Sequence, residues 1–472
     1  MKLRKITDVG LKVLTALLLA TALILTFTVS DYYIFNRIGE YGFIFVFCQW
    51  VKKAGLLLIP LAVYYNKKSC SDVAKYVLPL FVIVSCFMFG EFFNATPITE
   101  ESTNAELVYA HINGFIPKAA NMALFFLSNA FYLLICAGLF VRDGYKVNAK
   151  SFIYLPFAVV ACMPLNIFEN FFDINDFAPD HFLRFGSFTV WHALAVLVLI
   201  GFTIASYYFL KNKDGKTQND FLVAAAIVLM IQYHSKDSMV MGDGYNVYNT
   251  VFACIPLFIC NLGVYVASVS VILKKKVLYA ISFFVHAAGA VSVFFYFGKD
   301  GMSDYGIFCS YSILYFCLTH CILFALSVLP SALGHYKFKI KDCLIPLAYY
   351  FAVIIVASVA SALVTSASMG FGFDGYILQE GEFLLPNYAF TQINPLPFEV
   401  PMWKLTIWKC DLNALYILGL YAFYVGIFLA FNGAYYAFLA VRKAIIKKRA
   451  PAELPAEAVS EAAVTDTEEK ED

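Results

Sequence analysis

Runs of about twenty apolar residues, separated by short connections rich in lysine, recur along almost the whole chain. They lie at 11–29, 42–65, 74–93, 119–141, 149–171 and 187–210. After a polar linker, Lys211–Asp220, they resume at 221–234, 249–273, 277–298, 307–329, 343–366 and 412–440. A helix needs roughly 20 residues to cross the hydrocarbon core of a bilayer. Within lipid only helices and closed barrels satisfy their own backbone hydrogen bonds, and runs of this length specify helices. All but the run from Phe221 are long enough; that one is either re-entrant or extended by its neighbours. The sequence therefore predicts an all-α polytopic membrane protein with about twelve transmembrane helices. The chain is 61% hydrophobic and 14% charged, against roughly a quarter charged in ordinary globular chains.

Charge placement orients these helices. The segment Met1–Lys5 is basic and precedes the first run. That run is long for a signal peptide and no Ala-x-Ala site follows, so it is expected to remain as the first span. With a cytoplasmic N-terminus, the inside connections carry Lys67, Lys68 and Lys75; Arg142, Lys146 and Lys150; Lys211, Lys213 and Lys216; Lys274, Lys275 and Lys276; Lys337, Lys339 and Lys341; and finally Arg442, Lys443, Lys447, Lys448 and Arg449. The outside connections hold Glu100, Glu101, Glu106, Asp173, Asp176 and Asp180. This is the positive-inside pattern. It predicts a multi-pass protein of the cell membrane with both termini cytoplasmic. Residues 446–472 form an acidic tail rich in Ala, Pro and Glu that is expected to be disordered. No basic block suggests nucleic acid; the expected partner is membrane lipid. Two outside segments are long, Asn94–Lys118 and Ala367–Asp411. The second contains Leu384–Pro397, whose aromatics and prolines predict an ordered cover over the outer mouth.

The two halves resemble one another. Phe45-Val-Phe-Cys48-Gln49 is similar to Leu257-Phe-Ile-Cys260-Asn261, and Phe125-Phe-Leu-Ser-Asn129 to Phe316-Cys-Leu-Thr319-His320. Six spans in each half, an even number, give both copies the same orientation. The expected architecture is two tandem six-helix repeats in parallel, 1–215 and 216–445, the first degenerate.

Two residues at membrane depth are candidates for chemistry. Cys260 lies in Ile255–Gly263, and His320 in Tyr315–Phe324. If their spans begin near Thr250 and Ile307, the two lie about 15 and 20 Å below the outer ends. A thiol becomes a nucleophile as its thiolate, and an adjacent imidazole can take the proton. Asn261 and Thr319, beside the pair in sequence, are candidates to stabilise an oxyanion or orient the imidazole. Against this stands ordinary packing for Cys260 and an interhelical hydrogen bond for His320. His192 and His286 also lie in apolar runs and read as helix–helix hydrogen-bonding residues. Lys52 and Lys53 fall inside a span, where they either snorkel or hold a lipid phosphate. Glu91 and Glu169 sit at outer span ends. Cys317 and Cys321 flank His320, but no zinc-type CxxC spacing occurs; no metal and no cofactor is expected.

At these residues the second half resembles the YwaF-type integral membrane proteins of bacteria. That family shows a Pro-Leu-x-x-Cys-(Asp/Asn)-Leu segment, here Pro256-Leu-Phe-Ile-Cys260-Asn261-Leu262. A Leu-Ser-His type segment follows two spans later, here Leu318-Thr319-His320. A late outside loop with Asn-Tyr and prolines is similar to Asn387-Tyr388…Pro395-Leu-Pro397. The resemblance covers roughly 250 to 440, and departs from the family in carrying Phe258, where a His is common. The family is related to eukaryotic transmembrane acyltransferases that remodel ether phospholipids, with a Cys and a His in the matching places. The resemblance implies Cys260 as acyl-accepting nucleophile and His320 as base. The expected function is lipid acyl transfer or hydrolysis. The alternatives are a transporter of two six-helix halves, and a non-catalytic structural membrane protein.

Overall fold

The computed structural model describes residues 2–28, 43–87, 118–165, 167–168, 183–186, 189–242, 255–295, 308–371, 388–391, 404–407 and 410–449. Glu91, Glu169, the acidic residues assigned to outside connections, residues 94–117, most of 372–403 and the tail 450–472 lie outside them.

The apolar runs of the first half form α1 (Lys2–Thr28), α2 (Phe43–Val63), α3 (Lys68–Phe87) and α4 (Lys118–Asp143). A 3-10 turn, Ala149–Ile153, leads into the short α5 (Tyr154–Ala161), and α6 (Val190–Leu210) follows. The second half contributes α7 (Gly215–Gly242), α8 (Ile259–Leu273), α9 (Lys276–Ser292), α10 (Tyr311–Ala332), α11 (Leu344–Phe371) and α12 (Ala414–Arg449). An antiparallel ribbon of β1 (Lys404–Ile407) and β2 (Cys410–Asn413), with Lys404 opposite Asn413, precedes α12.

Among the described residues, 8 helices are long and apolar enough to cross a membrane: α1 to α4, α6, α10, α11 and α12. Helices α8 and α9 are apolar but shorter. The run from Phe221 proves to be extended by its neighbours at both ends, giving the 28-residue α7. Helix α12 continues through Arg449, into the stretch expected to open the disordered tail. Many apolar side chains face outward, among them Leu80, Leu134, Leu197, Val356 and Leu418. Such a surface is unfavourable in water and natural in lipid.

The packing follows a plan. Helix α1 lies on α4, α2 on α3, and α3 on α4; in the second half α7 lies on α10, α8 on α9, and α9 on α10. Two cores result. One gathers Leu11, Val51, Ala54, Leu78 and Ile135; the other gathers Val264, Ala267, Tyr315, Leu326 and Leu329. Helix α7 joins them, with Val223 in the first and Leu222 and Ala226 in the second.

Ion pairs fasten the lysine-bearing ends. Lys67 pairs with Asp220, tying the α2–α3 connection to α7. Lys75, expected in a connection, is instead buried within α3. Its Nζ lies 3.4 Å from Asp72 Oδ1 and donates to the Gly144 carbonyl at 3.0 Å. The other carboxylate oxygen of Asp72 accepts from Ser151 Oγ at 3.1 Å and from the Asn148 amide at 3.3 Å. A buried charge needs such partners, because desolvating it alone costs several kcal/mol.

Candidate functional site

The segment bearing Cys260 starts with a break. Pro256 lacks an amide hydrogen and disfavours helix at Ile255. Phe258 is extended, at φ −82° and ψ 146°, and caps a helix that begins at Ile259. A helix running unbroken from near Thr250 is therefore not what forms: Ile255–Phe258 are non-helical. Cys260 consequently sits in the first turn of α8, among amide groups that have no partner within the helix. The half-buried thiol donates to Asn261 Oδ1 at 3.6 Å. It packs with the tyrosine-rich core that holds Tyr233, Tyr311 and Tyr315, and lies within electrostatic reach of the Tyr315 hydroxyl.

Above this turn lies Tyr388, 2% exposed. Its ring stands edge-on to Phe258, with centroids 6.3 Å apart. Tyr388 and Ala389 pack with Ile255, Leu257 and Phe258 and with Ala357 and Ala360 of α11. Thr391 Oγ1 donates back to the Tyr388 carbonyl at 2.8 Å and is completely buried. Over Tyr388–Thr391, then, the chain packs onto the segment that carries Cys260.

His320 is 4% exposed on α10. Its Nδ1 lies 2.7 Å from the carbonyl of Phe316, one turn earlier. A carbonyl only accepts, so Nδ1 carries the hydrogen and Nε2 of the neutral ring carries the lone pair. The ring packs on Phe316, with centroids 4.1 Å apart, and edge-on to Phe294 after α9, at 6.0 Å. Thr319 is buried beside the Tyr315 hydroxyl. Helices α8 and α10 pack together. Counted up from their lysine-bearing ends at Leu273 and Ala332, Cys260 and His320 stand about 20 and 18 Å high at 1.5 Å per residue. The two residues stand on helices that pack together. The described contacts take Cys260 to Asn261 and the tyrosines, and His320 to Phe316 and Phe294.

Two further histidines act as helix ties. His192 Nε2 reaches the Phe294 carbonyl at 2.8 Å, joining α6 to the end of α9. His286 is 1% exposed in a π turn of α9, Ser282–His286. Its Nδ1 reaches the Ile259 carbonyl at 2.9 Å and its Nε2 the Tyr349 hydroxyl at 3.2 Å. His286 thus fixes the turn that holds Cys260. Sequence reasoning found the tie but not its target; the signals were Gly263, which admits the imidazole, and the short separation of the two helices.

The two lysines of α2 point to different neighbours. Lys52 Nζ donates to Asn129 Oδ1 at 2.5 Å and Ser85 Oγ at 3.3 Å, and lies over the rings of Phe125 and Tyr132. In the first half, the helices bearing Cys48 and Asn129 are thus bridged by Lys52. Lys53 donates to Ser235 Oγ on α7 at 2.7 Å. Among the described residues no three His, Cys, Asp or Glu side chains converge as a metal site. Cys317 and Cys321 pack instead with Phe185, Ala195 and Leu199.

Neither the curated proteins nor the solved structures compared with the chain give a match. A family model does, that of the TMEM164 family, over residues 179–431. The matched region opens before α6, upstream of the resemblance read from motifs, and takes in Cys260, His286, His320 and Tyr388. It spans more than half of the 472 residues, and the chain belongs to the TMEM164 family of transmembrane proteins.

Proposed function

We propose that this membrane protein transfers or hydrolyses lipid acyl groups, with Cys260 as nucleophile and His320 as base. One observation supports the reading: the thiol opens a helix packed against the helix that carries a buried imidazole whose basic nitrogen is Nε2. His320 takes the thiol proton, and the thiolate attacks the carbonyl carbon of a lipid ester. The tetrahedral oxyanion collapses, the ester C–O bond breaks, and the departing alkoxide regains the proton from His320. A thioester remains on Cys260. A second lipid hydroxyl or water, deprotonated by His320, attacks that thioester and releases the acyl group. The Asn261 amide and the first-turn amides of α8 are the donors for the oxyanion. A thiolate is costly in hydrocarbon, and the imidazolium formed with it offsets part of that cost. The likeness of Pro256–Leu262 and Leu318–His320 to the YwaF-type proteins, and through them to the ether-phospholipid acyltransferases, supports the same assignment.

The same reading keeps twelve crossings, both termini in the cytoplasm of a cell-membrane protein, and two parallel repeats. What supports the repeat is the plan of contacts: α1 on α4, α2 on α3 and α3 on α4 recur as α7 on α10, α8 on α9 and α9 on α10. A transporter of two halves would need a polar cavity between them. Among the described residues, a groove between the halves is almost wholly apolar, which favours lipid chemistry. The test is turnover of phospholipid labelled in its acyl chain by the purified protein. Loss of turnover in Cys260→Ala and His320→Ala supports the mechanism; wild-type turnover in Cys260→Ala removes it.

A further inference from the structure

Three membrane-crossing stretches of the first half end at Arg4, Lys68 and Asp143, and a fourth ends at Val63, shortly before Asn66. Arg4, Asn66, Lys68 and Asp143 line one cavity of about 490 Å³, together with Asp8 and Arg142. That is within the range of small-molecule sites. Lying where the spans end, the cavity stands at the border of a hydrocarbon core about 30 Å thick, at the level of lipid headgroups. The surface beside it is apolar: Ile6 and Val9 of α1 and Val141 of α4 are each more than half exposed.

The cavity has a fixed floor and a charged rim. The floor is Arg142, whose side chain is 6% exposed. Its Nε and Nη2 each donate to a carboxylate oxygen of Asp143 at 2.8 Å, and Nη2 also donates to the Ala62 carbonyl at 3.0 Å. Ser71 Oγ donates to the same carboxylate. As a unit this pair is neutral. Nη1 of Arg142 lies 3.5 Å from Asn66 Oδ1, and Asn66 sits in the left-handed region at φ 52°, which asparagine tolerates. The remaining charges are two exposed cations, Arg4 and Lys68, and one half-buried carboxylate, Asp8. Two against one leaves the lining with a single net positive charge.

We infer that this cavity holds the headgroup of an anionic phospholipid, a phosphodiester that ends in a polyol such as glycerol. Arg4 and Lys68 bind the phosphate through charge-assisted hydrogen bonds. Asp8 and Asn66 bond the polyol hydroxyls, and the acyl chains lie along the exposed apolar face of α1 and α4. Charge selects the class of lipid. A polyol phosphodiester brings one negative charge, the complement of the lining, whereas a choline or ethanolamine headgroup adds a cation and brings no net charge. Place selects a lipid over a soluble phosphate, because the rim continues into the lipid-facing surface. The site does not depend on Cys260 or His320, and stands or falls apart from the reaction proposed for them.

The experiment is lipid binding to the purified full-length protein in detergent, read by native mass spectrometry. Phosphatidylglycerol and phosphatidylcholine with the same acyl chains form parallel arms, and glycerol 3-phosphate serves as a soluble competitor. Phosphatidylglycerol is expected to bind about ten-fold more tightly than phosphatidylcholine, the worth of one charge-assisted hydrogen bond. The double variant Arg4→Gln, Lys68→Gln removes that preference; both side chains are exposed, so the packing beneath them stays intact. The double variant Lys211→Gln, Lys213→Gln makes the same change of charge at the same end of the bundle, outside the cavity, and keeps the preference. Glycerol 3-phosphate in excess leaves the bound lipid in place. Equal binding of the two lipids, a preference that survives loss of Arg4 and Lys68, or one that falls equally in the Lys211 and Lys213 variant would overturn the inference. Displacement by glycerol 3-phosphate would overturn it as well, by assigning the cavity to a soluble phosphate.

Discussion

His286 is pressed against Gly263: a Cβ at position 263 would stand 2.8 Å from Nδ1 of the imidazole. Nothing there yields easily, because the ring is tied to the Ile259 carbonyl on one side and to Tyr349 Oη on the other. Gly263 lies one turn below Cys260. In Gly263→Ala the imidazole or the helix must shift, at about 1–3 kcal/mol for overpacking, and the Ile259 tie loosens. The expected outcome is a lower melting temperature together with reduced lipid turnover. Unchanged melting and turnover would mean that α8 and α9 are less tightly apposed than described.

The bridge from Lys52 to Asn129 gives an asymmetric prediction. Asn129→Ala removes a partner from a charged group within the bundle and is expected to cost about 1–3 kcal/mol. Lys52→Met removes the charge as well as its bonds, keeps the volume, and should cost less, since apolar replacement of buried ionic groups is often neutral. Thermal unfolding in detergent ranks the two. A larger loss for Lys52→Met would reverse the interpretation.

Tyr388 packs residues 388–391 onto the Cys260 segment, as a cover. Tyr388→Ala is expected to lower stability by about 3 kcal/mol, as for other large buried aromatics. It should also speed hydrogen exchange specifically at 255–258 and 388–391. Exchange that rises nowhere, or evenly over the chain, would argue that the cover is independent of α8.

His335, in the connection after α10, has its pKa held below the usual histidine range, first by burial and then by the charge of Lys274. Its Nε2 lies 2.7 Å from Gln218 Oε1 at the start of α7. With the folded pKa depressed, both states are neutral above the ordinary value near 6.5. Below it the unfolded chain binds a proton that the folded chain resists, so stability falls as the medium is acidified. The melting temperature should drop between about pH 7.5 and 5.5, with a shallower slope in His335→Gln. Identical slopes would assign the acid sensitivity elsewhere.

Apolar run length and lysine placement made the membrane class legible. The start of α8 at Ile259 did not follow. Hydropathy is blind to a helix break inside an apolar run, although Pro256 was a readable stop. The π turn at Ser282–His286 has no periodicity signature in so uniformly apolar a segment. The opposite loyalties of Lys52 and Lys53 could not be read either. Adjacent residues point about 100° apart on a helix, and which neighbour each meets depends on tertiary packing.

The central claim is that Cys260 carries an acyl group. The protein should be incubated with phospholipid labelled in its acyl chain, quenched in acid, digested, and the Cys260 peptide read by mass spectrometry with and without hydroxylamine. The account predicts a hydroxylamine-labile acyl adduct on Cys260 that is absent in Cys260→Ala and strongly reduced in His320→Ala. Turnover of the labelled lipid with no adduct on Cys260, continuing in Cys260→Ala, would contradict it.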